Sequence, residues 1–182
     1  MERTLVLMRH AKSSWVGNTP DELRELSERG RRDARAAGEE LQRRGMEPLV
    51  LVSPARRTQA TWAAMTEAGA TSSEVRETPE LYRQSPGSVV TTLKALPDEV
   101  TTVLCLGHEP SITALVQSLG EREATRPWYA LDEKFPTATM AFLTVPGSWA
   151  DLGDELATLT ELVVPRGQAD RQLSDRTRRA TR

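Results

Sequence analysis

The sequence predicts an α/β protein: a single-domain, three-layer sandwich with a mainly parallel central sheet flanked by helices. Short apolar runs of strand type alternate with amphipathic stretches of helix type, the pattern of a parallel sheet covered on both faces. The 182 residues suit one domain with a sizeable core. No internal repeat and no long linker divides the chain.

The elements follow in order. Residues 4–8 read as a buried strand, and a polar, Pro-containing loop over 13–24 follows. Ser27 caps a helix from Glu28 to about Arg44, with Ala34, Ala37 and Leu41 on one face and Gly45 as the stop. Residues 49–52 form a second buried strand. Ser53-Pro54 then marks a helix start, Ser as N-cap and Pro at the first helical position, running to about Ala68. Residues 73–78 form a short strand. Ser85-Pro86 repeats the cap-plus-proline signal before Val89, Val90, Leu93 and Leu96. Residues 101–106 form a third buried strand, and Gly107-His108-Glu109-Pro110-Ser111 leads into a helix ending near Gly120. Residues 139–145 and 156–164 are two later strands.

Composition excludes several classes. Net charge is −2, with 38% apolar and 27% charged residues, so nothing global points to nucleic acid or an anionic membrane. The last 17 residues, 166–182, carry six arginines against two aspartates and read as a flexible tail. Without them the body has a charge of −6, from 18 basic and 24 acidic residues, still less suited to nucleic acid. The single cysteine, Cys105, sits in an apolar run and reads as a small core residue. The first apolar run is too short for the core of a signal peptide and meets Arg9-His10 at once, so the cytoplasm is the expected compartment. No stretch approaches a membrane span.

Chemistry concentrates at three strand-to-helix junctions: Arg9-His10, Ser53-Pro54-Ala55-Arg56-Arg57, and Gly107-His108. In a parallel sheet all three lie on one edge, outside the carboxyl ends of the strands, where ligands bind. Both histidines of the chain and two or three arginines then converge. An arginine in the first turn of a helix opposes the macrodipole, and a bound anion removes that conflict. The guanidinium fork suits phosphate oxygens. A lone Arg-His pair, or a lone Gly-His before a helix, is usually a surface or satisfied polar pair; together, at three equivalent junctions, they point to a phosphate pocket.

Other mechanisms lack their residues. There is no Gly-rich loop ending in Lys-Ser or Lys-Thr, and no G-x-S-x-G elbow. Cys105 is not followed by an arginine loop. Two histidines without neighbouring carboxylates or cysteines make a poor metal site. Histidine remains as the nucleophile: a neutral imidazole attacks phosphorus while its other nitrogen is fixed by a hydrogen bond, and arginines neutralise the phosphoryl oxygens.

These residues resemble the histidine phosphatase superfamily, and within it the SixA-type phosphohistidine phosphatases. Met8-Arg9-His10-Ala11-Lys12-Ser13-Ser14-Trp15 is similar to the opening motif of the small SixA-like members, with Ala11 where the wider family has glycine. Leu26-Ser27-Glu28-Arg29-Gly30-Arg31-Arg32-Asp33-Ala34 resembles the stretch before the first long helix. Ser53-Pro54-Ala55-Arg56-Arg57 with Thr61 resembles the Ser-Pro-x-x-Arg-x-x-x-Thr element, which assigns the second phosphate arginine to Arg57 rather than Arg56. Gly107-His108-Glu109-Pro110 and Phe135-Pro136-Thr137-Ala138 resemble later elements, the last lying beside the pocket. The similarity covers roughly residues 4–145.

The resemblance implies a histidine phosphatase domain over 1–165, a covalent phosphohistidine on His10, and phosphate contacts from Arg9, Arg57 and His108. It implies no metal and no cofactor. No acidic residue clearly matches the general acid of the mutase-like members; Glu80 is the nearest candidate, and Glu109 reads equally well as a helix N-terminal charge. The expected activity is hydrolysis of a phosphorylated substrate, foremost protein phosphohistidine. The alternatives are a small-molecule phosphomonoesterase, and a phosphoprotein-binding module with little activity, which would need no nucleophile.

Overall fold

Alternation along strand β1 (Arg3–Arg9) sorts the core into two halves. In the computed structural model, which describes residues 2–15, 17–82 and 85–168, Leu5 and Leu7 join one apolar cluster and Val6 and Met8 the other. Successive strand side chains point to opposite faces, so a run without polar residues needs cover on both. The first face is covered by α3 (Pro86–Lys94), α4 (Ser111–Leu119) and α5 (Arg126–Glu133), through Leu93, Ile112, Leu115 and Trp128. The second is covered by α1 (Glu28–Arg43) and α2 (Arg56–Glu67), through Ala34, Ala37, Leu41, Trp62 and Met65. The predicted three-layer sandwich is the observed one.

The sheet has the order β3-β2-β4-β1-β5-β6, completed by β2 (Leu49–Val52), β3 (Glu74–Glu77), β4 (Thr102–Gly107), β5 (Met140–Val145) and β6 (Thr158–Val163). β3, β2, β4 and β1 are mutually parallel; β5 runs antiparallel to β1 and β6 antiparallel to β5. Val52 stands opposite Leu106, and Arg9 opposite Gly107. The ends of β1, β2 and β4 therefore lie side by side on one edge.

Ser27 caps α1 as its sequence predicts, its hydroxyl accepting from the Gly30 N–H at 3.1 Å. The two helices behind the sheet meet where α1 has no side chain: a Cβ on Gly38 would fall 2.2 Å from the Met65 carbonyl oxygen. Cys105 is fully buried, as its apolar run predicts, and burial pushes its thiol up to about 12.

Three features depart from the sequence reading. Helix α2 is not capped by Ser53 with Pro54 at its first position; the N-cap is Ala55 and the helix begins at Arg56. The Ser53 hydroxyl is instead 2.8 Å from His108 Nε2, and its carbonyl accepts from Thr58 Oγ1 and Gln59 Nε2. Tertiary contacts outcompete the local capping signal. Helix α5, with Thr125 as N-cap and a proline in its first turn, was not predicted. Finally, the first residues of the Arg-rich tail are packed: the Gly167 N–H donates to Asp33 Oδ1, and the Arg166 guanidinium lies 3.5 Å from Asp33 Oδ2. The remainder of the tail, from 169, lies outside the described residues. No helix among the described residues is long and apolar enough to cross a membrane.

Candidate active site

The three junctions meet in a cavity of about 380 Å³ lined by Arg9, His10, Arg57 and His108, together with Trp15, Asp21, Arg24, Tyr82, Glu109, Pro110 and Ser111. His10 follows β1 directly and is 7% exposed. Its N–H donates to the Gly107 carbonyl at 3.0 Å, and its own carbonyl accepts from the Ala138 N–H at 3.2 Å. Ala138 holds φ at 66°, a conformation an L-residue adopts at a cost. The backbone carrying the imidazole is thus clamped between the end of β4 and the turn that precedes β5.

Its ring orientation follows from one contact. Nδ1 lies 2.7 Å from the Ala11 carbonyl oxygen. A carbonyl only accepts, so Nδ1 carries the proton and Nε2 the lone pair. The Arg57 Nε–H donates to that lone pair at 3.3 Å and to His108 Nδ1 at 3.2 Å. His108 therefore carries its proton on Nε2, which donates to Ser53 Oγ. The two imidazoles stand 5.0 Å apart, centroid to centroid, both neutral and sharing one guanidinium N–H.

Burial is the main reason they stay neutral. It lowers His10 to about 4, helped by the charges of Arg57, Arg9 and Arg24 and opposed by the Ala11 carbonyl. Burial also lowers His108 to about 3, helped by His10, Arg57 and Arg24 and opposed by Asp21. Desolvation exceeds the like-charge repulsion of the arginines at both rings.

The two adjacent arginines part company in space. Arg57 is 4% exposed and inside the cavity. Arg56, one residue away on the helix, points outward and pairs with Glu25 at 2.7 Å. Arg9 donates to the Phe135 carbonyl at 2.8 Å, so the Phe135-Pro136-Thr137-Ala138 segment does lie beside the pocket. Burial lowers the Arg9 pKa against the opposing charge of Glu109. Thr61 accepts from the Ala11 N–H and donates to the Arg57 carbonyl, tying the loop after His10 to α2.

Glu80 is not brought to this cavity. It lies in the 3-10 turn Pro79–Leu81 and lines a separate hollow with Arg76, Thr78, Thr91 and Leu96. Glu109 does line the site, with Oε2 accepting from Thr113 Oγ1 at 2.7 Å.

Asp21, Arg24 and Tyr82 were not found from sequence. Asp21 accepts from Arg57 Nη1 on its carbonyl and from Arg57 Nη2, Arg24 Nε and the Tyr82 hydroxyl on its carboxylate. Burial pushes its carboxyl up, but the two arginines and Tyr82 outweigh burial and hold it low. No group of three His, Cys, Asp or Glu side chains is placed to hold a metal ion among the described residues.

A sequence model of the histidine phosphatase superfamily (branch 1) matches residues 5–89. The uncharacterised protein ML1117 of Mycobacterium leprae is 40% identical over 166 residues, covering 87% of this chain and all of its own. A structure assigned as the phosphohistidine phosphatase SixA of Nakamurella multipartitia superposes with a TM-score of 0.77 at 34% identity, covering 91% of this chain and 97% of its own. The chain belongs to the histidine phosphatase superfamily. The structure of the protein histidine phosphatase SixA complexed with tungstate also matches this superfamily member, at 27% identity and a TM-score of 0.73, covering 89% of this chain and 97% of that one. Family and neighbours support a phosphatase, and with it a phosphorylated substrate.

Proposed function

We propose that this histidine phosphatase superfamily protein hydrolyses protein phosphohistidine through a covalent intermediate on His10. The observation that carries the reading is the His10 tautomer: Nδ1 is locked on the Ala11 carbonyl, leaving the Nε2 lone pair inside an arginine-lined cavity. That lone pair attacks phosphorus, the bond to the leaving group breaks with its electron pair, and a water then cleaves the new P–N bond to release inorganic phosphate. Arg9, Arg57 and the site histidine His108 receive the phosphoryl oxygens, whose charge rises and spreads in the transition state. His108 donates to an oxygen once a bound dianion supplies the negative charge that favours its protonation.

The substrate class follows from what surrounds the nucleophile. An alkoxide leaving group needs a proton from a placed acid. Glu80 lies elsewhere, Asp21 is held ionised by two arginines, and the cavity's other carboxyl, Glu109, is tied through Oε2 to the Thr113 hydroxyl. An imidazole leaves as a neutral group once solvent or a histidine gives it a proton, and an aryloxide is stable enough to leave with less help. SixA neighbours agree with this choice, and one of them holds tungstate, a tetrahedral oxyanion.

The test is single-turnover trapping with a phosphohistidine peptide, an aryl phosphate and an alkyl phosphate. The expected result is an acid-labile, base-stable phosphoenzyme, absent in His10→Ala. Catalytic efficiency toward the first two substrates exceeds that toward the alkyl ester by at least about tenfold, ~1.4 kcal/mol of transition-state preference. Normal turnover by His10→Ala would sink the mechanism, and an alkyl phosphate turned over best would sink the substrate class.

A further inference from the structure

Three of the four tryptophans are buried: Trp62, Trp128 and Trp149 are 7%, 1% and 0% exposed. Trp15 is 78% exposed, yet it is held in place. The Arg24 guanidinium lies 3.7 Å from the centre of its ring, within range of a cation–π contact. Arg24 is itself 7% exposed, with Nε fixed on Asp21 Oδ1 at 3.0 Å. Asp21 in turn holds the Arg57 guanidinium that touches His10. The flanks of this loop are tied together: Ser13 bridges Leu26, and the Ser14 N–H donates to the Glu25 carbonyl at 2.9 Å.

A large aromatic left in water normally gains nothing for the fold, because its apolar area stays unburied. This one lines the same cavity as His10. Arg9, Arg57 and His108 are the residues proposed above to take the phosphate, and Trp15 is part of the wall left for the group that carries it. An exposed indole pairs with another planar ring, offset-stacked or edge to face, and Arg24 holds this indole in place for such a partner.

We propose that Trp15 is the specificity platform of this site, a stacking surface for a planar leaving group, the imidazole of a phosphohistidine or an aryl ring. The proposal rests on the phosphatase reading above and adds the residue that selects the ring. Trp15 binds the leaving group and does no chemistry. The cost of removing it falls on KM, and falls only on substrates whose phosphate is borne by a ring.

The experiment compares Trp15→Ala and Trp15→Phe with the unaltered protein on three substrates: a phosphohistidine peptide, an aryl phosphate and an alkyl phosphate. Inhibition by inorganic phosphate is measured alongside. Trp15→Ala is expected to lower the ring-over-alkyl ratio of kcat/KM by about threefold to tenfold, the scale of one aromatic stacking contact. The loss appears in KM, Trp15→Phe restores most of it, and the inhibition constant of phosphate stays within twofold. An equal loss on all three substrates would overturn the proposal, as would an unchanged ratio. A loss confined to the peptide, sparing the aryl phosphate, would mean that Trp15 docks polypeptide, and would also overturn it. These outcomes are read from the ratio between variants. They are distinct from failure of the function itself, which shows as alkyl preference in the unaltered protein.

Discussion

Asp21 holds both ends of the Arg57 guanidinium, its main-chain carbonyl 2.6 Å from Nη1 and its carboxylate 3.1 Å from Nη2. The residue read as the second phosphate arginine is therefore already engaged by a carboxylate before any phosphate arrives. The ion pair aims the guanidinium, so that its Nε faces both histidines. It also places a negative charge where an anionic substrate must come.

Asp21→Asn separates these two effects. The amide keeps the main-chain contact and loses the charge. Binding of inorganic phosphate, read as its inhibition constant, should tighten by roughly fivefold, about 1 kcal/mol for one less like charge nearby. The catalytic rate should fall, because Arg57 loses part of its fixed orientation. Weaker phosphate binding in this variant would show that Asp21 serves the anion site only by shaping it.

The neighbouring arginines make a sharper comparison. Arg57→Ala removes a preorganised donor from the cavity and should lower kcat/KM by about 10²–10³. Arg56→Ala removes an exposed ion pair to Glu25 and should change kcat/KM by less than about twofold. Successive residues on a helix diverge by ~100°, which is why adjacent arginines differ so much. Equal losses at both positions would contradict the assignment.

Much of this site was legible because its chemistry sits at strand ends. A parallel sheet puts the ends of β1, β2 and β4 together, so Arg9-His10, Arg57 and Gly107-His108 converge without any knowledge of loops. Asp21 and Arg24 were illegible for the converse reason. They lie in a loop crowded with polar residues, where nothing in the pattern distinguishes a side chain that turns inward. Ser53 misled because it looks like a cap, while its hydroxyl is committed to His108. Helix α5 was missed because only Trp128 and Leu131 of its eight residues are buried, too few for a clear helical period.

Gly30 connects the fold to the site. A Cβ there would fall 2.0 Å from the Lys12 carbonyl oxygen, which also accepts from the Ser27 N–H and hydroxyl. Gly30→Ala gains about 1 kcal/mol of helix propensity but overpacks against backbone. The clash dominates, because neither backbone can swing away as a side chain would. Denaturant unfolding should show a net loss of about 1–3 kcal/mol. Activity should fall too, since the displaced loop begins two residues after His10. A stabilised variant would show that α1 can move away freely.

Glu80→Gln is expected to change kcat/KM by less than about twofold on every phosphate ester, because its carboxylate lines a different hollow. A large loss confined to alkyl esters would show that Glu80 swings into the site when substrate binds, and would restore it as the general acid.

The two histidines make a joint prediction about pH. His10 is lowered to about 4 and His108 to about 3, against about 6.5 in an unfolded chain. Activity should therefore survive acidification that would silence an ordinary histidine. Once the substrate's own ionisation is divided out, the acid limb of kcat/KM should centre near pH 4 rather than 6.5. Stability moves the other way. Between about pH 6.5 and 4 the unfolded chain binds protons at both positions while the folded chain does not. Each histidine then lowers the unfolding free energy by up to about 1.4 kcal/mol per pH unit as pH falls. Above pH 7 neither contributes. Asp21, whose carboxyl is held low, loses its contribution only below its ordinary value of 3.8, outside this window. His10→Asn cannot titrate, so its unfolding free energy should fall less steeply from pH 6.5 to 4 than that of the unaltered protein. Parallel curves for the two proteins, with an acid limb near 6.5, would mean that His10 is solvated and ordinary, and would remove the basis for its role as a neutral nucleophile.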